Sequence, residues 1–187
     1  MVLPFRITVC GLEELDGHCA SAVSHVLSIM DPGWPVPAVF DNFGEHARLE
    51  LRFHDVIEDV PGMQGPTQAH VEALLGFGRT LAPEPTPHLL VHCHAGVSRS
   101  SASMALLIAQ AAPELPGSHI FEEIMRVRSG IWPNLRIVEI GDRLLLRRGD
   151  LVAGAIEVYR QQIAKAPGLV QQFEGGGRGR EVRAAGF

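Results

Sequence analysis

Cysteine is scarce in this sequence, with only Cys10, Cys19 and Cys93 among 187 residues. That excludes a disulfide-stapled scaffold and a zinc site of paired cysteines, and it suits a reducing compartment where a free thiol survives. Positive charge is also in deficit: 16 Lys and Arg stand against 21 Asp and Glu, for a formal net charge of -5. A nucleic-acid partner is therefore not expected, because neutralising many phosphates takes a basic excess. No apolar run approaches the ~20 residues that cross a bilayer, so no membrane association is expected either. The opening residues MVLPFRITVC lack the basic start, long apolar core and small-residue cleavage site of a secretory leader. Together these absences point to the cytoplasm. Internal repeats of solenoid length are missing too.

What is present is the composition of an ordinary globular chain, 46% hydrophobic and 20% charged. Short β-branched or apolar runs predict strands at 5–9 (FRITV), 21–30 (SAVSHVLSIM), 49–53 (LELRF) and 88–92 (HLLVH). The Pro- and Gly-punctuated stretch 33–44 reads as irregular. Thr67 is placed to cap a helix over 68–80, which the PEPTP segment at 83–87 should end. Further helices fit 100–112, 118–128, 134–147 and 150–165. Strands alternating with helices predict an α/β fold, a central mixed or parallel sheet flanked by helices, in one domain over 1–165. Residues 166–187, with GGGRGR in their middle, show no core pattern and are expected to form a mobile tail.

One stretch concentrates chemistry: Val91-His92-Cys93-His94-Ala95-Gly96-Val97-Ser98-Arg99-Ser100-Ser101. It lies between a predicted buried strand and a predicted helix. A strand–loop–helix of this kind can turn successive backbone N–H groups inward, and the helix start adds positive potential. Such a cradle suits a phosphate. Gly96 permits the backbone angles of a tightly wound loop, and Arg99 supplies a planar fork for two phosphate oxygens. A thiol is only a few per cent ionised at neutral pH. The same field favours the thiolate, the form that can attack phosphorus. The adjacent His92-Cys93-His94 is a poor metal site, since three consecutive residues cannot converge on one ion from a strand and no second pair stands at ligand spacing. No cofactor is expected.

These residues resemble the H-C-x-x-G-x-x-R-S signature of the protein tyrosine phosphatase superfamily, most closely its small dual-specificity branch. His92, Cys93, Gly96, Arg99 and Ser100 match without a gap. The resemblance implies Cys93 as nucleophile, the backbone of 94–99 and the Arg99 side chain as phosphate ligands, and His92 as the group that orients Cys93. Ser100 is implied to stabilise the thiolate when the intermediate breaks down. It also implies a proton donor on a loop after an upstream strand. Asp55, which follows LELRFH, fits best; Asp59 and Glu58 are its competitors. Arg128 to Asn134 is similar to the family's R-x-x-x-x-P-N stretch, which supports the active-site loops. Asn134 after Pro133 also reads simply as a helix N-cap.

The resulting expectation is a phosphomonoester hydrolase acting through a cysteinyl-phosphate on a phosphorylated protein or a small phosphomonoester. Phosphotyrosine preference and oligomeric state are left open. Two other readings share the loop. A rhodanese-like sulfurtransferase also places a cysteine near an arginine and a helix start, but with a shorter interval between them. A silent phosphate-binding module would need the amides and Arg99 but neither Cys93 nor an acid.

Overall fold

A computed structural model describes residues 3–81 and 87–187. Four strands form one sheet: β1 (Arg6–Cys10), β2 (His25–Met30), β3 (Ala47–Arg52) and β4 (His88–His92), in the order β1-β4-β2-β3. All three pairings are parallel. Every residue of β2 and β4 is buried, as near-continuous apolar strands at the centre of a parallel sheet must be. β1 and β3 lie at the edges and are partly exposed.

The α-helices among the described residues are α1 (Gln68–Gly78), between β3 and β4, and then α2 (Arg99–Ala111), α3 (Gly117–Val127), α4 (Leu135–Leu144), α5 (Asp150–Lys165), α6 (Leu169–Gly175) and α7 (Gly179–Ala184). Strand alternation divides the core into two layers. Leu27 and Ile29 of β2 and Leu89 and Val91 of β4 join the large cluster formed with the α-helices. Val26 and Leu90 face the opposite side, which 3-10 turns over Leu12–His18 and Ala38–Asn42 cover with Leu15 and Phe40. α2 is buried from Arg99 to Ala109; its Ser and Ala residues let the helix lie close against its neighbours. Because the sheet is parallel, Cys10, Met30, Arg52 and His92 all end their strands at one edge, the edge at which open α/β sheets bind ligands.

The sequence-based expectations differ from this fold in several places. The predicted strand 21–30 is extended only from His25 onward, and the irregular 33–44 contains the Ala38–Asn42 turn. The first helix stops at Gly78 and tightens into a 3-10 turn over Arg79–Leu81. The expected PEPTP break falls on residues 83–87, of which 83–86 lie outside the described residues. α4 ends at Leu144, because the chain then reverses through left-handed angles at Leu146, Arg148 and Gly149.

The largest correction concerns residues 166–187, expected as a mobile tail. They carry α6 and α7 and pack on the core: Val182 and Glu181 are wholly buried. The Phe173 ring stacks on Trp132 with centroids 3.9 Å apart, and Trp132 Nε1 donates to Glu181 at 2.6 Å. Isolated anchors spaced between Gly and Arg residues dock this segment, so no continuous apolar pattern announces it.

Candidate active site

The loop from Cys93 to Ser98 joins the end of β4 to the start of α2. Its carbonyl groups are tied outward. Leu12 N–H donates to His94 O at 2.9 Å, and Arg128 Nη2 donates to Ala95 O at 2.9 Å. Trp132 N–H and Ser101 Oγ both donate to Val97 O, at 3.0 and 2.6 Å. Ser98 O accepts from Ala102 N–H, Asn134 N–H and Ser101 Oγ. A peptide is planar, with its N–H opposite its C=O. The N–H groups of Ala95, Gly96, Ser98 and Arg99 therefore face the other side, into the hollow of the loop. The positive end of α2 points to the same place.

Gly96 makes this winding possible with φ +67, and a Cβ there would collide with the Cys10 carbonyl and the Gly11 nitrogen. The end of β1 is thus a wall against which the loop is pressed. Arg128 braces it from outside, since its other Nη binds Glu14 Oε1 at 2.6 Å while Glu14 Oε2 accepts the Gly11 N–H.

Cys93 is buried, with Sγ 3.3 Å from Ser100 Oγ. His92 lies behind it on the opposite face of the sheet. Its Nε2 is 2.8 Å from Ser28 Oγ and its Nδ1 is 3.4 Å from Cys93 O. A carbonyl can only accept, so Nδ1 carries the hydrogen and Nε2 accepts from Ser28. Burial pulls the His92 pKa down to about 4, which keeps this neutral tautomer in place. Cys10, at the loop wall, is driven the other way: burial above all raises its thiol to about 12.

Arg99 is buried, and its Nη1 donates to Asp31 Oδ1 at 2.6 Å and to Phe53 O at 2.7 Å. These bonds hold one side of the guanidinium. Among the described residues its buried Nε has no partner, an unsatisfied donor that suits an incoming oxyanion. Sequence reasoning did not single out Asp31, which follows β2 in an Asp-Pro-Gly turn and resembles any turn aspartate. His94 leans on the same residue: Asp31 N–H donates to His94 Nε2 at 3.3 Å. Its ring meets Trp34 edge-on with centroids 4.6 Å apart.

Of the three candidate acids, only Asp55 reaches the loop. Its Oδ1 accepts from Ser98 Oγ at 2.8 Å, Asn134 Nδ2 at 2.8 Å and Arg178 Nη1 at 3.3 Å. Asp59 is 94% exposed and pairs with Arg136, and Glu58 pairs with Arg180. Asn134 caps α4, its Oδ1 accepting from Ile137 N–H, and its Nδ2 donates to Asp55 Oδ1. A cleft of about 490 Å³ opens over Asp55, His94 and Arg99, with Gly176, Gly177 and Arg178 in its wall. Arg178 was not singled out either, for it comes from the segment expected to be mobile. Among the described residues no group of three or more His, Cys, Asp or Glu could hold a metal ion.

No family model matches the sequence, and no curated protein matches it. The fold, by contrast, matches solved structures of phosphatases. Human DUSP28 superposes with a TM-score of 0.56 at 15% identity, covering 76% of this chain and 92% of that one. The Cydia pomonella PTP-2 phosphatase gives 0.56 at 20% identity, over 72% and 83% of the two chains. DUSP15 gives 0.52 at 18% identity, over 87% and 93%. The chain therefore has the α/β fold of the small dual-specificity phosphatases, with the parallel sheet and flanking helices that the signature loop led one to expect.

Proposed function

We propose that the protein is a cysteine-dependent phosphomonoester hydrolase of the dual-specificity kind. One observation carries the reading: a loop with its carbonyls tied outward holds Cys93 Sγ against Ser100, next to Arg99, whose buried Nε is unpartnered among the described residues, and Arg99 and Asp55 line the same cleft. In the first step the Cys93 thiolate attacks phosphorus, the bond from phosphorus to the leaving oxygen breaks, and Asp55 gives its proton to that oxygen. The amides of 94–99 and the Arg99 fork hold the equatorial oxygens as charge spreads over them. In the second step Asp55, now ionised, takes a proton from water, the water oxygen bonds phosphorus, and the S–P bond breaks. Ser100 donates a hydrogen bond to the departing sulfur. Phosphate leaves and the thiolate is restored.

The substrate class follows from the cleft. A phosphorylated protein side chain or a small phosphomonoester would enter past Trp34, Val60 and Met63, all exposed. A mechanism resting on a free thiolate suits a reducing compartment, the cytoplasm. No helix among the described residues is long and apolar enough to cross a membrane.

The test is phosphate release from p-nitrophenyl phosphate, with acid-quench trapping of a phosphocysteine. Cys93→Ser is expected to abolish turnover and trapping while still binding phosphate. Turnover near wild type in that variant would overturn the nucleophile. Sulfide transfer from thiosulfate to cyanide without phosphate release would favour a sulfurtransferase, and phosphopeptide binding without release would favour a silent module.

A further inference from the structure

The C-terminal segment places a buried guanidinium against the candidate acid, and nothing in the signature loop calls for it. Arg178 is 8% exposed. Its Nε and Nη2 fork onto Glu181, both at 2.8 Å. Glu181 in turn is wholly buried and accepts from Trp132 Nε1 and from Leu135 N–H at the start of α4. The guanidinium is thus anchored to the rigid core on one side. On the other side it meets the active site, through Nη2 to Ser98 Oγ at 3.1 Å and Nη1 to Asp55 Oδ1 at 3.3 Å.

Donor and acceptor rules fix the direction of this network. A guanidinium has no acceptor, so Ser98 Oγ must accept from Arg178. The single hydrogen of Ser98 then goes to Asp55 Oδ1, 2.8 Å away. With Asn134 and Arg178 also donating, Oδ1 receives three hydrogens, and Oδ2 takes part in none of these bonds. The dissociable proton of Asp55 therefore belongs on Oδ2, and the plane of the carboxyl group is fixed relative to the loop. These four contacts use four of the five guanidinium N–H groups.

We propose, on the phosphatase reading above, that Arg178 is a positioning residue for proton transfer: it aims Asp55, directly and by orienting the Ser98 hydroxyl, without binding the substrate phosphate. The C-terminal segment is on this account part of the active site. Loss of Arg178 frees the Ser98 hydroxyl to turn and the Asp55 carboxyl to rotate. A misplacement on the order of 1 Å is enough to cost about 100-fold where proton transfer limits the rate.

The test is kcat/KM, which reports the step that forms the phosphocysteine, across aryl phosphates of graded leaving-group acidity. Arg178→Met is expected to lose roughly 10–100-fold on phenyl phosphate, whose leaving oxygen needs a proton, but no more than about threefold on 2,4-dinitrophenyl phosphate, whose leaving group does not. In an Asp55→Ala background the same substitution should change neither, because the group it aims is gone. Inhibition by inorganic phosphate should stay within about twofold, since Arg178 leaves the phosphate to Arg99 and the amides. A uniform loss across the series, a loss that persists without Asp55, or weakened phosphate inhibition would each overturn the proposal. If Arg178→Met does not melt as a folded protein, Arg178→Lys decides by the same criteria, because one ammonium can hold Glu181 but cannot span Ser98 and Asp55 together. A wild type that releases phosphate from none of these esters defeats the phosphatase reading itself. A turning-over wild type with a uniformly impaired Arg178 variant defeats this proposal alone.

Discussion

Asp55 and Asp59 differ by four positions and share a chemistry, yet their surroundings separate them. Asp55 is held by Ser98, Asn134 and Arg178 beside the loop between β4 and α2, while Asp59 extends into solvent beside Arg136. Asp55→Ala is expected to lower kcat/KM on phenyl phosphate by roughly 10²–10⁴-fold, the usual worth of a positioned acid. Asp59→Ala should stay within about twofold, the scale of an exposed ion pair. The reverse ranking, read in the same assay, would move the acid to Asp59. At this scale the signature residues were legible because they are contiguous: His92, Cys93, Gly96, Arg99 and Ser100 carry their spacing with them. Asp31 and Arg178 were not. Each is defined by a partner far away in the chain, Arg99 for one and Asp55 for the other. A charged residue whose partner is remote looks like any solvated charge until the fold brings the two together.

Among the elements, the loop between β4 and α2 does most to shape the site, and its form depends on β1 as much as on its own residues. Gly96→Ala imposes a left-handed angle costing roughly 1–2 kcal/mol and drives a methyl group into the backbone of Cys10 and Gly11. The loop must then open outward, breaking the bonds that turn its carbonyls away. A fall in melting temperature of about 5 °C or more is expected, with kcat down at least ~100-fold as the amides lose their common focus. Full activity in this variant would show that the winding is not what binds phosphate. The strands and long helices were legible in the sequence, since β2 and β4 carry short apolar runs that are buried throughout and Thr67 caps α1 as its side chain predicts. The segment after Lys165 was misread for a different reason. Its anchors Phe173, Glu181 and Val182 meet the core one at a time, through a ring stacked on Trp132, hydrogen bonds from Trp132 and Leu135 to Glu181, and a buried valine.

Across the whole molecule, burial depresses the basicity of four histidines, His70, His88, His92 and His94. For His92 the fall is from 6.5 to about 4. Between these values an unfolded chain binds a proton at this position that the native state refuses, so stability declines as pH falls from about 6.5 toward 4 and is fully present above 6.5. His92 alone should remove on the order of 2 kcal/mol between about pH 7 and pH 5, at 1.36 kcal/mol per unit. Urea unfolding at the two pH values measures this loss, and His92→Gln should flatten it. Equal slopes in wild type and variant would show that His92 is not held neutral. The sheet order has a kinetic consequence of its own. β1 pairs with β4 only after β2, β3 and α1 have intervened along the chain. Closing that long excursion is entropically slow, so folding is limited by it more than by the helices. The pocket wall at Cys10 and the loop at Cys93 lie on opposite sides of the closure. During renaturation, therefore, helical signal is expected to return first, and the Cys93 loop to close against β1 only with the last, slowest pairing.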